Sequence, residues 1–115
     1  RDCILHNPRC SKSRQALQLL REHGIELPVI EYLQKPLSKA ELRELCALLA
    51  LKPLDLIRHK EELFGELGLS RDNGYSDAQW LDVLASHPKL LERPIVVYRG
   101  RAVLGRPPEN LLALL

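Results

Sequence analysis

The chain has 115 residues and a formal net charge of +2. With 45% hydrophobic and 28% charged residues it has the balance of a globular chain rather than a disordered one, and no unbroken apolar run approaches the roughly 18–20 residues that cross a bilayer, so no membrane association is expected. Seventeen basic against fifteen acidic residues give too small an excess for nucleic acid to be the default partner. In chain order, Cys3-Ile4-Leu5-His6 reads as a short strand ended by Asn7-Pro8. From Ser11 the residues Ala16, Leu17, Leu19 and Leu20 recur at helical spacing until Gly24 supplies a stop. Pro28 to Leu33 is rich in β-formers and predicts a second strand.

Ser38 and Glu41 form an S-x-x-E capping box that opens a helix through about Leu51, with Leu42, Leu45, Leu48 and Leu49 as its apolar stripe. Pro53 can open a further helix carrying Leu54, Ile57 and Arg58. Gly65, Gly68 and Asp72-Asn73-Gly74 read as breaks and a loop. Ser76 and Gln79 form a second capping box, and a helix follows through about Leu84. Pro94 to Tyr98, Arg99-Gly100 and Arg101 to Leu104 read as a β-hairpin, and Pro107 to Leu115 as a closing helix.

The order β-α-β, several helices, β-β-α is an α/β arrangement in a single domain, 1–115, with a helical insertion at about 38–88. It resembles the thioredoxin-like, glutaredoxin-type mixed sheet. In such a fold the first loop places a residue at a helix N-terminus, and here that residue is Cys10. Unpaired backbone N–H groups and the positive end of the helix dipole favour its thiolate. Arg9, Lys12, Arg14 and His6 are expected to add positive charge, so a depressed pKa and a reactive nucleophile are expected. The same N–H groups form an oxyanion cradle.

The other two cysteines carry no such signal. Cys3 alternates with Leu5 on the first strand and is expected to be buried, and Cys46 lies beside Leu45 as filler. Three cysteines are too few and too odd for a secreted disulfide scaffold and suit a reducing cytoplasm. No basic stretch followed by an apolar one opens the sequence, so secretion by a signal peptide is not expected, and no closely spaced Cys/His set suggests a metal. Three residues after Cys10 stands Ser13 rather than a second cysteine. An oxidised adduct on Cys10 must then be resolved by another thiol, either Cys3 or Cys46 swinging in or an external thiol such as glutathione, and the external route is expected because the other two cysteines fall in regular, packed elements.

Four segments in order resemble the glutaredoxin-coupled arsenate reductases. They are His6-Asn7-Pro8-Arg9-Cys10-Ser11-Lys12-Ser13-Arg14, then Leu56-Ile57-Arg58 before Glu66-Leu67-Gly68-Leu69, then Leu91 to Val97, and finally Gly105-Arg106-Pro107-Pro108-Glu109. The resemblance implies an arsenical-resistance enzyme in which Cys10 attacks arsenate and forms a thiol–arsenate ester. It implies that Arg58, Arg93 and Arg106 hold the oxyanion and that His6 helps keep the thiolate ionised. It further implies glutathione as reductant co-substrate, glutaredoxin as partner, no bound cofactor and a cytoplasmic site of action. Ser13, Arg14 and Pro94 are supporting residues in this reading, and the Arg93-Pro94 bond is predicted to be cis, facing the catalytic loop.

Each arginine also has a structural alternative. Arg58 can be a solvated residue beside Lys60 and Glu61, Arg93 can pair with Glu92 or Glu109, and Arg106 can fix the hairpin end to the last helix. Two other functions compete with arsenate reduction. One is a thioredoxin-like redox regulator switching through a Cys-x-x-Cys disulfide, against which Ser13 counts. The other is a general thiol oxidoreductase, which needs Cys10 but not all three arginines.

Overall fold

A computed structural model describes residues 2–115, which divide into two compact units. The first comprises the chain up to Lys35 together with Arg93–Leu115, and the second comprises Pro36–Glu92.

The first unit is built on a four-stranded sheet in the order β2-β1-β3-β4. Strand β1 (Cys3–Leu5) runs parallel to β2 (Val29–Ile30) and antiparallel to β3 (Ile95–Tyr98), which pairs antiparallel with β4 (Arg101–Leu104). Helix α1 (Ser11–Glu22) supplies the crossover between the two parallel strands. Its end is a local matter: Gly24 sits at φ +72°, and the Ile25 N–H returns to the Leu20 carbonyl at 2.9 Å. Ile4 and Val96 from the sheet, Ala16 and Leu20 from α1, and Leu111 and Leu114 from the C-terminal segment form one buried cluster. The β3–β4 hairpin turns through Arg99 and Gly100, both at positive φ (51° and 74°), as a two-residue turn matched to strand twist requires.

The second unit has helices and 3-10 turns and no named strand. Helix α2 (Lys39–Leu49) starts at the expected capping box: the Ser38 N–H donates to Glu41 Oε1 (2.9 Å), and the Glu41 N–H donates to Ser38 Oγ (3.1 Å). Helix α4 (Asp77–Ser86) repeats the device with Ser76 and Gln79. Trp80 of α4 is buried between Phe64 and Tyr75, with ring centroids 6.1 and 5.0 Å away.

Several expectations are corrected. The second strand shrinks to Val29–Ile30 because the Glu31 carbonyl accepts the Gln34 and Lys35 N–H groups and closes a turn. The helix expected from Pro53 is a 3-10 turn, Pro53–Leu56; Ile57 leaves it extended (φ −93°, ψ 129°) to bridge Leu91. A short helix α3 (Glu62–Glu66) forms through Gly65, where a break was expected, and buries Phe64. The closing helix is a 3-10 run, Pro108–Leu114, whose i, i+3 repeat aligns Leu111 with Leu114 on the buried side. Leu48, assigned to the apolar stripe of α2, is 43% exposed, and Cys46 takes its place in the core.

This last exchange is testable. Leu45→Ala, which opens a gap at a residue 5% exposed, is expected to cost about 2–5 kcal/mol in urea unfolding. Leu48→Ala is expected to cost less than about 1 kcal/mol. Equal losses would contradict the burial pattern.

Candidate active site

The loop between β1 and α1 is fixed by a few polar contacts centred on a buried hydroxyl. Ser13, in the first turn of α1, has no exposed surface. Its Oγ lies 2.7 Å from His6 Nδ1 and accepts the Asn7 N–H at 3.0 Å. The Asn7 carbonyl accepts the Cys10 N–H (3.0 Å), and Asn7 Oδ1 accepts the Arg9 N–H (3.0 Å). Arg14 reaches back from α1 to donate to the Pro8 carbonyl at 2.9 Å. Arg14 thereby braces the loop.

Cys10 is the N-cap residue of α1, extended at φ −94° and ψ 123°. No hydrogen bond of full cap geometry reaches its sulfur. Burial, the largest single influence, pushes the thiol pKa up. The Ser13 N–H, the Arg93 charge, the Lys12 N–H and the Arg93 side-chain donor together outweigh it, and the pKa lies below the ordinary thiol value. Cys46 shows the opposite case: burial, then the Asp77 and Asp55 charges, raise its pKa and keep it a thiol. Cys3 is buried on β1, as expected.

His6 departs from expectation in one respect. Burial, then the Arg21 and Arg14 charges against an opposing Glu31, hold its pKa below the usual histidine value. At neutral pH the imidazole is mostly uncharged, so the positive charge expected of it is not supplied. What His6 contributes is the hydrogen bond to Ser13.

The arginines differ from one another. Arg93 acts on the Cys10 sulfur both by charge and as a donor, and its Nε and Nη1 are buried with no hydrogen-bond partner among the described residues. Such donors cost stability unless something meets them. The Arg93–Pro94 bond is cis, as predicted, and Arg106–Pro107 is cis as well. Arg106 is exposed and adjoins Gly105, whose N–H donates to the Pro94 carbonyl at 2.8 Å. A Cβ at Gly105 would stand 3.1 Å from Pro94 Cγ and 3.2 Å from Leu111 Cδ2, so a larger residue would push these side chains back by a few tenths of an ångström. Arg93 and Arg106 thus flank one backbone contact. Sequence reading left Gly105 without a role of its own; its only signal was its place in the last matching segment.

Arg58 belongs to the second unit. Its Nη1 lies 3.0 Å from Glu61 and its Nε 3.7 Å from Glu92, and Glu61 also meets Lys89 at 3.3 Å. The two chain segments are joined by the Arg58 N–H to Leu90 carbonyl and the Glu92 N–H to Leu56 carbonyl bonds, both 2.8 Å. The sequence set Glu61 beside Arg58 only as a solvated neighbour and offered Glu92 to Arg93, whereas both carboxylates pair with Arg58; the i, i+3 spacing of Arg58 and Glu61 was the available signal. No group of three or more His, Cys, Asp or Glu that could hold a metal occurs among the described residues. No helix among them is long and apolar enough to cross a membrane.

A cysteine of lowered pKa at a helix N-terminus, carried on a β-α-β and β-β frame with a cis proline just before β3, defines a thioredoxin-like thiol protein. Residues 5–114 match the model of the ArsC family, and the chain belongs to that family. A Neisseria meningitidis serogroup A protein named arsenate reductase is 49% identical over 113 residues, covering 97% of this chain and 96% of its own. The Escherichia coli K12 protein YfgD is 46% identical over 112 residues, covering 96% and 93%. The structure of an arsenate reductase from Vibrio cholerae is similar with a TM-score of 0.94 at 48% identity, over 99% of this chain and 97% of that one.

Two outcomes follow from the electrostatics. The alkylation rate of Cys10 is expected to titrate below the ordinary thiol pKa of about 8.5, and Arg93→Met is expected to move it upward; an unchanged profile would contradict the Arg93 contact. A histidine whose native pKa is depressed favours the folded state when neutral. Stability is therefore expected to fall as pH drops from the unfolded value of about 6.5 toward the lower native one. Urea midpoints should lose this component in His6→Gln.

Proposed function

We propose that this protein is an arsenate reductase in which Cys10 is the nucleophile. The observation that carries the reading is Arg93: two buried, unpartnered guanidinium N–H donors beside a cysteine whose thiolate is favoured. An oxyanion placed against the N-terminus of α1 would meet those donors, and charge-assisted bonds to a guanidinium are the strong ones. The names of the Neisseria and Vibrio relatives select arsenate as the oxyanion.

The chemistry runs in two stages. The Cys10 thiolate displaces an oxygen of arsenate, which leaves as water after protonation. An S–As bond forms and an As–O bond breaks, with arsenic still pentavalent. Arginine donors stabilise the charge that builds on the remaining oxygens. A thiol from glutathione then attacks Cys10 sulfur. Its electron pair makes an S–S bond, the S–As pair stays with arsenic, and arsenite leaves. Two thiols have been oxidised to one mixed disulfide, and arsenic has gained two electrons. A second thiol exchange, on glutaredoxin, returns Cys10. Ser13 in place of a resolving cysteine supports this external route. Arg106 joins the oxyanion donors in this reading, and Arg58 enters it on sequence similarity alone. A reduced cytoplasm supplies the thiols that such a cycle consumes.

The test is arsenite production with glutathione and glutaredoxin. Wild type is expected to turn over and Cys10→Ser to give none. Arg93→Ala with Arg106→Ala is expected to lower kcat/KM by about 100-fold or more, the scale of losing preorganised anion donors. No arsenite from wild type would overturn the reading. Normal turnover in the arginine variant would instead overturn the role of Arg93 and Arg106 as the oxyanion clamp.

A further inference from the structure

The loop before α4, in the second unit, carries chemistry that the reading of Cys10 does not use. Every residue from Ser70 to Gln79 is exposed, and Asn73 and Gly74 lie in the middle of this stretch. Asn73 Oδ1 accepts the Tyr75 N–H at 3.0 Å, which folds the side-chain amide over the peptide bond that follows it. Gly74 stands at φ +82°, and a Cβ there would meet nothing within 4 Å. The Gly74 N–H has no hydrogen-bond acceptor among the described residues. The other two asparagines are placed differently. Asn7 precedes Pro8, which has no N–H. Asn110 precedes the buried Leu111, and its side-chain nitrogen donates to the Leu104 and Arg106 carbonyls at 3.3 and 3.1 Å.

We propose that Asn73–Gly74 is a self-modifying site, at which the chain converts its own side-chain amide to aspartate and isoaspartate with water as co-reactant. The Gly74 nitrogen gives its proton to solvent base and attacks Asn73 Cγ. A C–N bond forms, and the carbonyl electron pair moves onto Oδ1, where the Tyr75 N–H stabilises the developing charge. The Cγ–Nδ2 bond then breaks, and the amide nitrogen leaves as ammonia after taking a proton from solvent. Water opens the resulting cyclic imide at either of its carbonyls, and no atom is oxidised or reduced. One opening gives aspartate. The other gives isoaspartate, in which the main chain runs through Cβ and Cγ and gains a methylene. The consequence stays within the second unit. Tyr75 is held to residue 73 by its N–H and lies against Trp80 with ring centroids 5.0 Å apart. Aspartate at 73 keeps an oxygen for that N–H, whereas isoaspartate moves the backbone on which Tyr75 stands. Trp80 is the single tryptophan of the chain, so its emission reports the displacement.

The test incubates the purified chain at mildly alkaline pH and reads isoaspartate by enzymatic methylation and by peptide mass. Isoaspartate is expected at residue 73, faster as pH rises because the attacking nitrogen must lose its proton, and not at Asn7 or Asn110. Gly74→Ala, whose methyl crowds the nitrogen and disfavours the positive φ, is expected to slow conversion at least about tenfold. Asn73→Gln, which would have to close a larger ring, is expected to stop it. The folded chain is expected to convert at least as fast as the chain unfolded in guanidinium, since the fold holds the Tyr75 donor against Oδ1. Trp80 emission is expected to change in step with isoaspartate and to stay unchanged in Asn73→Asp. Absence of isoaspartate at 73, equal conversion at Asn110, or a folded chain slower than the unfolded one would overturn the site. Emission that ignores isoaspartate would overturn its link to Tyr75 and Trp80.

Discussion

The hydroxyl of Ser13 is the point from which the catalytic loop is built. Because it is fully buried, its oxygen must be satisfied by protein, and it is: by the Asn7 N–H and by His6 Nδ1. Those two bonds tie the end of β1 to the first turn of α1. Asn7 in turn holds the Cys10 N–H through its carbonyl, so the backbone entering the helix has one shape. The sulfur is thereby presented at the end of a helix dipole, where the Ser13 and Lys12 N–H groups favour its thiolate. Neutral His6 suits this task better than a cation would, since a buried charge so placed would carry a desolvation cost.

The second constraint is the close approach of β4's end to Pro94. Gly105 permits it, and the Gly105 N–H to Pro94 carbonyl bond secures it. The main-chain positions of Arg93 on one side and Arg106 on the other are consequently fixed by this backbone contact. Arg58 is restrained differently, by two carboxylates that hold its guanidinium in an ion-pair network.

Much of this was legible because it is local. The capping boxes at Ser38 and Ser76, the Arg99-Gly100 turn, the strand end at Asn7-Pro8 and the cysteine before α1 each depend on residues a few positions apart. What escaped depends on packing. Leu48 and Cys46 are near neighbours on one helix, and only the elements packed on α2 decide which is buried. Gly65 sits inside α3 because burying Phe64 outweighs the propensity loss of a single glycine. His6 loses its charge through burial that a sequence does not display. Arg93 could be named from resemblance, but its unpartnered buried donors could be seen only in three dimensions.

The burial of Ser13 reaches beyond geometry. In a dithiol loop this position would give the protein an oxidised form of its own, a state in which it could wait or be stored. Here the position is committed to holding Asn7 and His6 and carries no sulfur. On the proposed chemistry the loop retains no record of its last turnover once the adduct has been cleared. Its pace is then set by the thiol supply around it, and starvation of that supply would leave it stalled as an adduct rather than resting as a disulfide.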